Sequence, residues 1–147
     1  MSPRNKVTKR GWVRFLICLA TMFVLEQAVS AVSMNVAKAS RVSLIPGVDL
    51  VRQNIANIVI NANQAYTVAL NDDTGGVLSM GYHKIPYRVS YNNSSDIELS
   101  HNPVTMESAA SAVNGNRTIA ITVLGTDTAR AAAGDYRSTL TVTITAF

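Results

Sequence analysis

From Thr139 to Ala146 the chain alternates without a break: Leu140, Val142, Ile144 and Ala146 stand at one set of positions, Thr139, Thr141, Thr143 and Thr145 at the other. In an extended chain successive side chains leave on opposite sides, so this run has one apolar and one polar face as a β-strand. The same period of two recurs upstream. Tyr66, Val68 and Leu70 alternate with Thr67 and Ala69; Ile85, Tyr87, Val89 and Tyr91 with Pro86, Arg88 and Ser90; Ile119, Ile121 and Val123 with Ala120 and Thr122. The β-branched residues that fill these runs suit a pleated, half-buried surface. Turn chemistry separates them at Pro46-Gly47, Asn71 to Gly76, Asn92 to Ser95 and Asn114 to Asn116. Residues 105–113 are the one stretch with the composition for a helical turn. The pattern predicts an all-β domain, a β-sandwich of about seven strands.

The N-terminus follows a different rule. Arg4, Lys6, Lys9, Arg10 and Arg14 precede the apolar run Phe15–Leu25, after which come the small residues Ala28, Ser30 and Ala31. A spanning helix needs about 20 apolar residues, so this run is short for an anchor and right for the core of a secretory signal. The expectation is a signal peptide over residues 1–31, cleaved after Val29-Ser30-Ala31 to leave Val32 first, with cuts after Ser30 or Ser33 as alternatives. An uncleaved anchor is the other reading. Cys18 follows the bulky Phe15-Leu16-Ile17, unlike a lipoprotein signal.

Export changes the charge argument. The formal charge of the whole chain is +4, yet residues 32–147 carry eight basic and eight acidic residues and are formally neutral. The basic surplus belongs to the leader, and nucleic-acid binding is not expected. Cys18, the single cysteine, leaves with the leader, so no disulfide holds the mature domain.

Residues able to carry chemistry are few. Asp73-Thr74-Gly75 matches the triplet of aspartic proteases, whose paired carboxylates share a proton. Here it stands between Asn71-Asp72 and Gly76, in a run that reads as a hairpin turn. The same cluster lacks the ligand spacing of a calcium loop. His83 and His101 stand at no metal-ligand spacing, and no nucleophile-elbow motif occurs. Asn92, Asn93 and Asn116 open glycosylation triplets that matter only in a eukaryotic host. The expectation is a protein with no catalytic residue, metal or cofactor.

Ala133-Gly134-Asp135-Tyr136, followed by an alternating strand to the end, resembles the C-terminus of pilus subunits assembled by the chaperone–usher route, with Gly134 fourteenth from the end. The family often has an aromatic residue next to last; here Ala146 stands there and Phe147 is last. Val77-Leu78-Ser79, Ile85 to Tyr91 and Ser111 to Gly115 are similar to colonisation-factor fimbrial subunits. Tyr66 to Leu70 and the Ala-Gly-x-Tyr ending are similar to the spore coat U group of secreted pilins. The resemblance spans about residues 40–147.

That resemblance implies an immunoglobulin-like sandwich lacking its last strand, completed by a neighbour's N-terminal extension laid into the groove. The donor it points to is residues 32–38, with Val32, Met34 and Val36 alternating against Ser33, Asn35 and Ala37. The groove and polymerisation strand would comprise Gly134, Tyr136, Leu140, Val142, Ile144 and Phe147. The alternative is that residues 32–45 form an ordinary first strand of their own fold. The implied partners are identical or related pilin subunits, a periplasmic chaperone, an outer-membrane usher, and a host or surface receptor. The implied location is the periplasm in transit and then a fimbrium on the cell surface, serving adhesion or biofilm. The alternative is a monomeric secreted sandwich that binds a carbohydrate or protein through its loops; a protease using Asp73 is the third class.

Overall fold

Three sets of antiparallel strands make up nearly all the regular structure in the computed structural model, which describes residues 32–38 and 42–147. The expected signal peptide, residues 1–31, lies outside the described residues. The strands in chain order are β1 Val32–Lys38, β2 Leu50–Ala62, β3 Tyr66–Asp72, β4 Val77–Met80, β5 His83–Pro86, β6 Arg88–Tyr91, β7 Ile97–Glu98, β8 Val104–Ala109, β9 Gly115–Val123 and β10 Leu140–Ala146. One helical turn, α1, covers Gly125–Thr128. Among the described residues no helix is long and apolar enough to cross a membrane. The all-β expectation holds.

One sheet runs β1-β2-β9-β6-β7, a second β10-β3-β8, and β4 pairs with β5 alone. Ile58 and Ile60 of β2, Val89 of β6 and Ile119 and Val123 of β9 meet Tyr66, Val68 and Leu70 of β3 in one core, every one of them buried. The alternation read from the sequence sets these inner faces. Around the rim Val32, Met34, Val36, Leu140, Val142 and Ile144 are half-buried against the same core.

Three elements differ from the expectation. The run Ile85–Tyr91 is two strands, because Pro86 has no N–H to continue a ladder and the chain there passes from β4 to the five-stranded sheet. Ile85, Tyr87, Val89 and Tyr91 all stay buried across the break. Residues 105–113 hold no helical turn; β8 occupies Val104–Ala109, paired to β3 with a register shift between Val68 and Ala69. The turn at Asn71 to Gly76 is no hairpin, since β3 pairs with β10 and β8, and β4 with β5.

β2, thirteen residues long, has no counterpart in the periodicity argument. Its ladder to β9 shifts register between Leu50 and Gln53 and again between Asn54 and Ala56. A bulge puts two residues opposite one and breaks the alternation, so a clean period of two survives only over Ala56, Ile58, Ile60 and Ala62.

Candidate functional site: the seam between β1 and β10

β1 is the outer strand of one sheet and β10 the outer strand of the other, and the two lie next to each other with no ladder joining them. Val32, Met34 and Val36 stand opposite Ala62, Ile60 and Ile58 of β2. Leu140, Val142 and Ile144 stand opposite Asp72, Leu70 and Val68 of β3. Inward residues therefore pair with inward residues on both sides, and six half-buried apolar side chains close the core along the seam. In this single chain residues 32–38 occupy the position of a first strand of their own fold.

β10 is fastened at both ends. Before its first residue, the Thr139 amide donates to Asp73 Oδ1 at 2.9 Å and the Asp73 amide donates back to the Thr139 carbonyl at 3.2 Å. After its last, the Phe147 amide donates to the Ala65 carbonyl at 3.1 Å. Beneath the entry lies Asp72, fully buried. Its carboxylate accepts from the Ser138 hydroxyl, the Gly76 amide and the hydroxyl and amide of Thr74. Burial pushes the Asp72 carboxyl up, but these hydrogen bonds together outweigh it and hold it at about 2. The same burial, with the Asp72 charge close by, raises the Tyr87 phenol to about 12 against the opposing hydrogen bond to Ser138.

β1 is joined by its ladder to β2. Among the described residues no side-chain hydrogen bond involves Val32–Ala37 (the side chain of Lys38 is not described).

A second polar cluster braces the opposite end. The β8 bulge leaves Glu107 half-buried in place of strict alternation. Arg117 of β9 grips its carboxylate with two hydrogen bonds of 2.7 Å, from Nε and from Nη2. The hydroxyls of Tyr66 and Tyr91 lie 2.9 and 2.6 Å from the same carboxylate. Arg117 is the main reason that Glu107 is held at about 2, with the tyrosines adding to it against burial. Both phenols are pushed up, first by burial and then by the Glu107 carboxylate. The cluster joins β3 and β8 of one sheet to β6 and β9 of the other, so it fixes the sheets to each other.

The remaining expected residues fall as follows. Tyr136 is half-buried, its hydroxyl donating to the Ala132 carbonyl at 2.9 Å. Gly134 leaves no room for a side chain: a Cβ there would sit 2.1 Å from Met80 Sδ. Phe147 is 67% exposed, outside the seam. Asp73 is an exposed turn residue. His83 and His101 are exposed, and among the described residues no three His, Cys, Asp or Glu side chains cluster to hold a metal. A cleft of about 260 Å³ lined by Gly75, Tyr87, Arg88, Glu98, Leu99 and Asp127 lies at the α1 end of the sheets. It is smaller than the usual range for small-molecule sites.

No family model, curated protein or solved structure matches the chain. Asp72, Glu107 and Arg117 went unread in the sequence as polar anchors. Asp72 stands beside the motif-bearing Asp73, and Glu107 turns inward only through a bulge that pairing with β3 creates.

Proposed function

We propose that this chain is a structural subunit of a surface fimbria, assembled without covalent chemistry by strand addition at the seam. In this reading the two sheets are an immunoglobulin-like sandwich, β10 is the fixed wall of its groove, and residues 32–38 are the strand that passes between subunits. The observation that supports it is the seam itself, where β1 and β10 lie side by side with no ladder joining them and close the core with six half-buried apolar side chains. β10 is tied at both ends, and β1 carries an apolar stripe and a ladder that a second chain of the same sequence supplies equally well.

Energetics favours a covered seam. Fully burying Val, Leu or Ile side chains is worth roughly 1.5–3 kcal/mol each, and net domain stability is about 5–15 kcal/mol. Removing β1 exposes the inner faces of Met34, Val36 and their partners Ile58 and Ile60, and uncovers an unpaired edge prone to aggregate. A subunit awaiting its neighbour then needs a substitute strand, the role of a periplasmic chaperone, with an usher at the outer membrane. The mature chain begins near Val32 in this scheme, and N-terminal sequencing of the exported protein checks it.

The decisive experiment removes residues 32–38 from the mature chain and adds them back as a separate peptide. The truncated subunit is expected to aggregate or melt early, and the peptide to restore it. A truncated protein that is monomeric and as stable as the intact one would overturn the fimbrial reading. The placement of β1 within its own chain favours the second reading, a monomeric secreted sandwich binding a carbohydrate or protein through its loops; size exclusion of the mature protein separates the two.

A further inference from the structure

The chain leaving β1 is pinned before it enters β2. Pro46 and Gly47 form a turn closed by the Val48 amide donating to the Ile45 carbonyl at 3.1 Å. The turn lies on α1. The Gly47 amide donates to the buried Thr128 hydroxyl oxygen at 3.1 Å, and the Gly125 amide donates to Asp49 Oδ1 at 2.6 Å. The two backbones touch: a Cβ on Gly125 would sit 2.6 Å from the Gly47 carbonyl carbon. Gly47 itself takes φ +76°, in the left-handed region that glycine favours. Residues 45–49 are therefore part of the domain body, and six residues, 39–44, join Lys38 to this clamp, the last of them, Leu44, half-buried against the core.

Around the clamp the surface is apolar. Ile45 is 62% exposed, Val48 53%, Val51 67% and Leu124 38%, and these are four of the eight exposed large apolar side chains among the described residues. Scattered apolar residues need no explanation, but a group of them on one small surface marks an interaction site.

We infer that this apolar end is the contact surface for a second copy of the chain, namely the copy whose seam receives β1. The inference rests on the fimbrial reading above, and a tether length carries it. Six extended residues span at most about 20 Å. When residues 32–38 lie in a neighbour's seam in the register Val32↔Ala62 to Lys38↔Ala56, the clamp end of the donating subunit must lie within that distance of the neighbour's strand. The clamp keeps this connection short and carries Ile45 and Val48 against the recipient. Strand exchange supplies the affinity, and the patch sets how the two bodies meet.

The test compares assembly of the full mature chain with that of Ile45→Glu/Val48→Glu, followed by light scattering after size exclusion. Both side chains are solvent-exposed, so the variant is expected to melt with the wild type. Its assembly is expected to weaken by about tenfold or more, since unpaired charge in an interface is disfavoured. Tyr82→Glu, fully exposed on the β4–β5 turn, is expected to assemble like wild type. If wild type assembles and the double variant assembles equally well, the contact surface is overturned and the fimbrial reading stands. If wild type stays monomeric under all conditions, both are overturned.

Discussion

Asp72 and Glu107 carry the strongest electrostatic constraints at the residue scale, and both act through hydrogen bonds they accept, Asp72 fully buried and Glu107 half-buried. Each carboxyl is held at about 2 in the fold, against about 4 in an unfolded chain. A depressed folded value means that ionisation favours the fold; the contribution is complete above the unfolded value and is lost as pH falls through the folded one. Stability toward urea should be flat above about pH 5 and fall between about pH 4 and 2. Glu107→Gln should flatten that slope, measured as the urea midpoint against pH. Arg117→Met leaves Glu107 without its cation. Breaking a fully buried pair costs roughly 3–5 kcal/mol, and somewhat less is expected here because the partners keep 12% and 18% exposure. Asp72→Asn places an amide against the donors of Gly76 and Thr74 and should cost about 1–3 kcal/mol. Asp73→Asn retains the oxygen that accepts from Thr139 and should stay within about 0.5 kcal/mol of wild type. Thermal melts of that pair distinguish the buried aspartate from its exposed neighbour.

At the scale of elements, β10 and the α1 clamp invite opposite kinds of substitution. On β10, Val142 faces the core and Thr143 faces solvent. Val142→Asp puts a carboxylate into the seam, where it costs several kcal/mol or is driven to protonate. Thr143→Asp, one residue on, should leave both stability and assembly close to wild type. In the clamp the constraint is backbone contact, not polarity. Gly125→Ala drives a methyl group into the Gly47 carbonyl, and overpacking of this kind costs typically 1–3 kcal/mol. Its signature should be local: faster hydrogen exchange at the Gly47 amide, with the Glu107–Arg117 end of the sheets unchanged.

In the proposed reading, the two-sheet core has β10 as its permanent wall and β1 as its exchangeable one. That division makes sense of where the polar groups lie. Asp72, Asp73 and Ser138 crowd the entry to β10, Glu107 and Arg117 brace the sheets, and β1 is fastened by a ladder. For a fimbrial subunit, the consequence is a separation of phenotypes. Val142→Asp should abolish both chaperone capture and polymerisation, whereas loss of residues 32–36 should spare capture and abolish donation. Co-purification with a chaperone, scored alongside fibre formation, measures the two separately.

Local alternation by itself determined the all-β class and the inward faces of β3, β6, β9 and β10. A period of two depends only on the extended backbone, not on which strand lies beside it. For the same reason it placed Val32, Met34 and Val36 on one face, and Ile85 and Tyr87 on the same face across the break at Pro86. Tertiary pairing decided the rest. The bulges in β2 and β8 exist because their partners impose a register, which is why the longest strand and the inward turn of Glu107 were not legible. Asp72 could not be told from Asp73 until the approach of Ser138 and Gly76 buried one and left the other in solvent. The clamp of Gly47 on Gly125 joins residues far apart in the chain, and two glycines in a sequence say nothing of each other until the fold presses their backbones together.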